Sequence, residues 1–178
     1  MFSIDKFEYV SNMLTREECD DITELMFEEQ IKGNTKADID SKYCLYKSEI
    51  FKPYIERIRR RVEEVTGLSL TYTYHYSRIY TAGDTLPRHC DRKECEVSIT
   101  MTLGYGENDS IWPIYMTDTE TDPIGDEFLI EIGDSVVYRG HDLWHWREDY
   151  KGEWQTQVFV HFVDKNGPYS DTKEEFIL

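Results

Sequence analysis

Two histidines and one aspartate in this chain have the spacing of a metal site. His89 and Asp91 are separated by one residue, and His145 lies far downstream, between two tryptophans. Two imidazoles and one carboxylate can occupy one face of an Fe(II) octahedron and leave three positions for a chelating co-substrate and oxygen. The three residues therefore predict a non-haem iron site of the kind that oxygenases use.

The local pattern supports this ligand set and contains one competitor. An extended strand alternates its side chains, so His89 and Asp91 are predicted to project from the same face of one strand. His141 competes with His145 for the third ligand position, but it follows Gly140 in a predicted turn. The tryptophans on both sides of His145 would build a dry site for iron, and we therefore prefer His145.

Two predicted helices and a series of short strands must position these residues. A capping box at Thr15 and Glu18, followed by apolar residues at helical spacing, predicts a helix over about 16–31. A second helix is predicted over about 48–66, and from Leu68 onward the hydrophobic pattern has a period of two. The predicted strands are 70–80, 96–103, 111–116, 128–132, 135–138 and 155–163.

Helices followed by strands, without a βαβ rhythm, favour a mainly β fold. We predict a double-stranded β-helix, or jelly roll, barrel that is backed by N-terminal helices. No repeat or linker divides the chain, so residues 1–178 are expected to form a single domain. Its helical front would cover 1–67 and its jelly-roll body 68–165, with one open mouth for a ligand.

Several motifs follow one another in a fixed order between residues 77 and 163. They are Tyr80, Gly83, His89 with Asp91, the turn and strand at 133–138, His145, and the segments 152–154 and 160–162. This order resembles the 2-oxoglutarate and Fe(II)-dependent oxygenase superfamily, in particular small microbial and viral members of its prolyl-4-hydroxylase-like branch.

The resemblance implies a cofactor set and a reaction. His89, Asp91 and His145 would be the iron ligands, and Tyr80 would line the co-substrate pocket. The implied cofactor is Fe(II), with 2-oxoglutarate and O2 as co-substrates and ascorbate as an optional reductant. A C–H bond of a peptide, with proline as the natural candidate, or of a small molecule would be hydroxylated with release of succinate and CO2.

One position departs from the family pattern. The family usually has a Lys or Arg on the strand after the distal histidine, which pairs with the far carboxylate of 2-oxoglutarate. This chain has an acid near the expected base, within residues 152–157. Arg147, two positions after His145, is the preferred replacement, and Arg78, which shares strand parity with Tyr80, is the alternative. If neither serves, another keto acid, or none, would be used.

Polar residues near His89 have two interpretations each. Thr100 alternates with Ser98 and Thr102 along one strand, so these hydroxyls are either hydrogen-bonding groups for the co-substrate or ordinary strand formers. Arg92 and Glu96 would either bind substrate at the pocket rim or form an ion pair that stabilises a loop.

Charge and cysteine content narrow the partners. The chain has 20 basic and 36 acidic residues, and its formal net charge of −16 repels nucleic acid and anionic membranes. We expect a peptide or small-molecule substrate and neither a nucleic-acid nor a membrane partner; the oligomeric state stays open. Four cysteines without CxxC pairing are expected to be reduced, in a cytoplasmic protein.

Other functions compete with the oxygenase hypothesis. A cupin-like metal-binding jelly roll, acting as a sugar-binding protein or isomerase, would explain the missing downstream base, although cupins gather more histidines. An acidic interaction module with an inactive barrel would have no chemical need for all three ligands. Structural zinc at Cys90 and Cys95 is disfavoured because no second close pair of Cys or His follows.

Overall fold

The protein, described over residues 6–172 by a computed structural model, is mainly β. Its two α-helices are α1 (Arg16–Ile31) and α2 (Lys52–Thr66). The ten strands are β1 (Phe7–Val10), β2 (Tyr43–Tyr46), β3 (Leu70–Thr81), β4 (Leu86–His89), β5 (Val97–Tyr105), β6 (Ile114–Thr117), β7 (Asp126–Phe128), β8 (Ser135–Tyr138), β9 (Trp144–Arg147) and β10 (Trp154–Asp164).

The helices begin and end where local chemistry predicts. At the start of α1 the Thr15 hydroxyl accepts from the Glu18 backbone N–H, and the Glu18 carboxylate accepts from the Thr15 N–H. Gly67, at φ 72°, ends α2 in the left-handed conformation that glycine adopts without steric cost. The segment after Ser48 is a 3-10 turn, so the second helix begins four residues later than predicted.

Two antiparallel sheets form the body of the protein. The large sheet has the order β1-β8-β5-β10-β3-β2, and the small sheet has the order β4-β9-β6-β7. Strands β1, β2 and β9 were absent from the sequence prediction, and β4 was predicted only as the strand that carries His89. β1 and β2 are the outer strands of the large sheet, so the predicted helical front also contains two strands.

Alternation along the large sheet separates a core face from a polar interior. Ile99 and Met101 of β5 pack with Ile22 and Met26 of α1 in the main hydrophobic core. The intervening hydroxyl residues of β5 project from the opposite face, toward the small sheet. Met116 of the small sheet packs there against buried residues of β8. The two sheets therefore enclose an interior lined partly by polar side chains.

This arrangement confirms the predicted fold class, a mainly β jelly roll backed by helices. All four cysteines are free thiols, as expected. No helix within residues 6–172 is long and apolar enough to cross a membrane.

Candidate metal centre

The two histidines of the predicted site face each other across the small sheet. His89 ends β4 and pairs in register with His145 of β9, and their ring centroids are 4.3 Å apart. In each ring Nδ1 is hydrogen-bonded to a backbone carbonyl, that of Pro87 for His89 and that of Leu143 for His145. Donation by Nδ1 fixes the tautomer that leaves the Nε2 lone pair free for a metal.

The carboxylate of Asp91 completes the group. Its Oδ1 lies 3.4 Å from His89 Nε2 and 3.6 Å from His145 Nε2. One atom from each side chain thus lies within 4.8 Å of the others, close enough for a single metal ion to reach all three. The structure brings together the three residues that the sequence pattern selected.

Asp91 reaches this position from a loop and not from a strand. β4 ends at His89, so the predicted strand chelate is wrong in this detail. The Asp91 N–H donates to Gly140 O at 2.8 Å, which ties the loop to the turn before β9. A Cβ on Gly140 would collide with Asp91 Oδ2 and lie 2.6 Å from Ser98 Oγ, so only glycine fits beside the carboxylate.

A hydrogen bond from behind orients the Asp91 carboxylate. Ser98 Oγ lies 3.3 Å from Oδ2 and 2.8 Å from Nδ1 of His161, a histidine buried on β10. Because Ser98 approaches Oδ2, Oδ1 is the oxygen presented to the two histidines. Ser98 therefore contacts the Asp91 carboxylate, and His161, within the predicted segment 160–162, is a further neighbour of this group.

The electrostatics of the group suit a metal ion. Burial alone would raise the pKa of Asp91, but the neighbouring His145 and His89 hold it below its usual range. Burial lowers the pKa of His145, which keeps that imidazole neutral. For His89 burial is the largest single influence and acts to lower the pKa, but the hydrogen bond and charge of Asp91, the Pro87 carbonyl and Asp40 together raise it. An anionic carboxylate beside neutral imidazole is the protonation state that metal binding requires.

His141 occupies a different place from the ligand group. Its Nδ1 lies 3.2 Å from the backbone O of Asp91, and its ring packs edge-on against Tyr169. The geometry thus favours His145 over His141 as the third ligand.

A second cluster shares the aspartate. Asp91, Cys95 and His161 also offer atoms within 4.8 Å of one another. Burial raises the pKa of the Cys95 thiol well above its usual value, and Tyr74 OH lies 3.0 Å from Cys95 Sγ. A protonated thiol is a poor metal ligand. This cluster is therefore packing behind the first group.

Arg147 lies on the same face of β9 as His145 and is only 1% exposed. Its Nη1 donates to Trp112 O, while its Nε and Nη2 are buried and have no hydrogen-bond partner among the described residues. Burial lowers the pKa of Arg147 to about 10, with Tyr80 and Tyr138 opposing the effect. Nε and Nη2 form one edge of the guanidinium, the edge that binds a carboxylate in bidentate fashion.

Arg78, the other candidate for the co-substrate, already has partners. Its Nη2 lies 2.6 Å from Asp38 Oδ2 and 2.9 Å from Asp40 Oδ2. Its Nη1 donates to Tyr80 OH at 3.0 Å. Tyr80 is fully buried, so it lies between the two arginines as a wall residue.

The segment after the distal histidine contributes glutamines in place of a base. Gln155 and Gln157 of β10 are buried, and Gln157 Nε2 donates to Thr100 Oγ1 at 2.8 Å. Gln155 Oε1 has no hydrogen-bond partner within the described part of the chain. The acid of this segment, Glu153, is exposed and does not occupy the interior. Thr100 is thus tied to Gln157, a residue that the sequence analysis missed because buried glutamine has no characteristic spacing.

Arg92 and Glu96 have separate partners. Arg92 Nη2 donates to Tyr74 OH at 3.1 Å, and Glu96 Oε2 accepts from the Asp164 N–H at 2.9 Å. Arg139 lies 3.9 Å from the Glu96 carboxylate. Glu96 therefore stabilises the end of β10, whereas Arg92 lines the cavity described next.

A cavity of about 960 Å³ opens beside the metal centre. Its lining includes His89, Asp91, Arg78 and Arg92, a loop around Asp38 and Asp40, and the tyrosines Tyr46, Tyr74 and Tyr76. The volume lies at the upper end of the range typical of small-molecule sites.

Solved structures of similar fold come from one group of enzymes. A Pseudomonas putida prolyl-4-hydroxylase is 15% identical over 92% of this chain and 95% of its own, with a TM-score of 0.67. A viral collagen prolyl hydroxylase from Paramecium bursaria Chlorella virus-1, in complex with 2OG, is 11% identical over 90% of this chain and 96% of its own, with a TM-score of 0.67. HygX from Streptomyces hygroscopicus, with nickel and 2-oxoglutarate bound, is 11% identical over 93% of this chain and 85% of its own, with a TM-score of 0.66.

No family model and no curated protein matches the chain. The similarity to these solved structures, at identities of 11–15%, establishes the fold: the chain has the jelly-roll architecture of 2OG-Fe(II) oxygenases.

Proposed function

We propose that this protein is an Fe(II)- and 2-oxoglutarate-dependent dioxygenase that hydroxylates a peptide or a small molecule. The observation that carries the proposal is the group of His89, Asp91 and His145 on the same interior as Arg147, a buried arginine with two unpaired donors. The first three residues supply a facial set of iron ligands, and the fourth supplies a counter-charge for a dicarboxylate.

Each residue has a distinct role in this proposal. His89 Nε2, His145 Nε2 and Asp91 Oδ1 would hold Fe(II), with Ser98 keeping Oδ2 turned away. Arg147 Nε and Nη2 would bind the far carboxylate of 2-oxoglutarate. With Fe(II) and 2-oxoglutarate bound, such a site activates O2, releases succinate and CO2, and hydroxylates a C–H bond of the substrate.

The cavity reaches His89, Asp91 and Arg78, whereas Arg147 is not among its lining residues and is only 1% exposed. Gln155 is a further buried polar side chain, and its Oε1 has no hydrogen-bond partner among the described residues.

The cavity is large enough for a substrate of more than one residue, and it favours neither a peptide nor a small molecule by its size alone. Two of the similar structures are prolyl hydroxylases, and prolyl hydroxylation is one candidate activity here.

An anaerobic titration with Fe(II) and 2-oxoglutarate tests the proposal. We expect a visible charge-transfer band from the chelated keto acid. The band should be lost in His145→Ala and kept in His141→Ala, a matched control that replaces the histidine in the turn before β9. Iron binding without a band in the unmodified protein would overturn the oxygenase proposal. That result would favour the cupin-like alternative. The main support for that alternative is the missing downstream base, a role that the oxygenase proposal assigns to Arg147.

A further inference from the structure

We propose that the substrate carries an ammonium or guanidinium group, and that Asp40 binds this cation in the cavity beside the metal centre. The inference rests on the oxygenase function proposed above and adds the chemical class of the substrate.

Asp40 has an unsatisfied acceptor in a protected position. Its side chain is 9% exposed and lines the cavity, and its Oδ2 forms an ion pair with Arg78 Nη2 at 2.9 Å. Its other oxygen, Oδ1, is buried without a hydrogen-bond partner among the residues that the structure describes. Leaving a buried polar atom unpaired costs roughly 1–3 kcal/mol, and more for a charged group. A cationic donor from the substrate would remove this cost.

The charges around Asp40 do not balance within the protein. One guanidinium, that of Arg78, faces the two carboxylates of Asp38 and Asp40. The cluster therefore keeps one uncompensated negative charge. Burial raises the pKa of Asp40 and the charge of Arg78 opposes this, so a further cation would favour the anionic form. A buried charge that is only partly compensated is a feature of ligand sites more than of stable cores.

The cavity wall near this cluster is aromatic. Tyr46 and Tyr74 have ring centroids 5.7 Å apart, and Tyr74 stacks on Tyr76 at 6.3 Å. All three line the same cavity as Asp40. Aromatic faces attract ammonium and guanidinium groups by roughly 0.5–2 kcal/mol. Carboxylate and tyrosine together thus match a cation better than a neutral or anionic group.

The position of Asp40 also suits the reaction. It lines the same cavity as His89 and Asp91, so a cation bound to Asp40 would share that cavity with two of the candidate metal ligands. This placement gives Asp40 a role in selecting and orienting the substrate.

Basic residues at the same cavity make an anionic substrate the competing outcome. Lys36, Lys47 and Arg92 also line it. The guanidinium of Arg92 lies 5.6 Å from the centroid of the Tyr74 ring and donates to that tyrosine, so it is engaged with the wall. The test must therefore compare probes that differ only in charge.

The experiment uses the full chain with Fe(II) and 2-oxoglutarate under anaerobic conditions. After the charge-transfer band has been recorded, calorimetry measures the binding of matched probes. Cationic probes are Nα-acetyl-lysine amide, Nα-acetyl-arginine amide and spermidine, the last representing a free polyamine. The neutral probe is Nα,Nε-diacetyl-lysine amide, and the anionic probe is Nα-acetyl-glutamate amide. We expect at least one cationic probe to bind tenfold or more tightly than the neutral and anionic probes.

Variants assign that preference to the cluster. Asp40→Asn should abolish the tenfold preference, whereas Glu64→Gln, which removes one negative charge from the exposed face of α2, should retain it. If Asp40→Asn does not fold, Asp38→Asn is tested instead. The side chain of Asp38 is more exposed, and its replacement also removes one negative charge from the cluster of Asp38, Asp40 and Arg78.

Equal or weaker binding of all cationic probes overturns the inference, as does a preference that survives in the cluster variant. Absence of the charge-transfer band contradicts the oxygenase function, and the calorimetric comparison still reports on the cation site separately.

Discussion

The interior and the mouth of this protein each bury an arginine, and the two arginines have opposite surroundings. Among the described residues, two donors of Arg147 in the interior have no hydrogen-bond partner, whereas Arg78 at the cavity is held by two carboxylates. An acceptor at the cavity mouth, Oδ1 of Asp40, also lacks a partner in this part of the chain. The inner end therefore lacks an anion and the outer end lacks a cation.

This difference shows how unpaired buried atoms indicate ligands of opposite charge in one site. A folded protein pairs nearly all its buried polar groups, so the exceptions are where a ligand would complete the bonding. The candidate metal ligands connect the two regions: His145 shares β9 with Arg147, and His89 and Asp91 line the same cavity as Asp40. The arrangement fits a dicarboxylate co-substrate inside and a cationic substrate outside.

Replacing each of the two arginines should have opposite effects on the unfolding free energy. Arg78→Met leaves Asp38 and Asp40 without a counter-charge, and loss of one partner of a buried pair costs roughly 3–5 kcal/mol of unfolding free energy. Arg147→Met removes an unpaired buried charge, so the ligand-free protein should be as stable as before or more stable. Urea unfolding at pH 7 measures both. An equal loss in the two variants would mean that Arg147 has a partner that balances its charge.

For the affinity of 2-oxoglutarate we expect the reverse order, with the larger effect in Arg147→Met and the smaller in Arg78→Met. Two charge-assisted hydrogen bonds to the far carboxylate are worth roughly 1.5–3 kcal/mol each, so Arg147→Met should weaken 2-oxoglutarate binding roughly 100-fold to 20,000-fold. Arg78→Met should change it by less than roughly tenfold, since that guanidinium is occupied by protein carboxylates. Arg61→Met, on the exposed face of α2, is the control. The opposite ranking in an anaerobic band titration would assign the co-substrate to Arg78.

A buried histidine extends the comparison to pH dependence. Burial lowers the pKa of His161 to about 4, and its Nε2 has no hydrogen-bond partner in the described structure. As pH falls below 6.5 the unfolded chain takes up a proton that the folded protein refuses, so stability is lost down to about pH 4. A pKa of 4 in place of 6.5 corresponds to roughly 3 kcal/mol.

His161→Gln should reduce that loss in the metal-free protein by this amount. Urea unfolding at pH 7 and at pH 4 measures the difference for both proteins. An unchanged pH dependence would show that His161 accepts its proton in the folded state.

The smallest predicted effect concerns the candidate metal ligands His89, Asp91 and His145. In Gly140→Ala the new Cβ meets the Asp91 carboxylate and Ser98, and the displaced oxygen should weaken Fe(II) binding roughly 10-fold to 100-fold. Gly67→Ala is the control, because its φ of 72° disfavours alanine, unlike the backbone of Gly140, while no atom lies within 4 Å of the added Cβ. Equal iron affinities in the two variants would show that the close approach of Gly140 does not position the ligand.

Much of the fold could be predicted from sequence because its signals are local. The capping box of α1, the glycine after α2 and the period-two strands each depend on neighbours in the chain. The short strands β1, β2 and β9 were not predicted, since they acquire strand geometry by pairing with distant partners. β7 lies at Asp126–Phe128, ahead of the predicted 128–132, for the same reason.

The site divides in the same way. Residue type and spacing alone selected His89, Asp91 and His145, because metal ligands need specific side chains and the chain order limits where they can meet. The occupation of Arg78, the open edge of Arg147 and the unpaired oxygen of Asp40 were decided by the tertiary structure. Hydrogen-bond satisfaction depends on which groups pack together across the fold, and a linear sequence does not contain those distances.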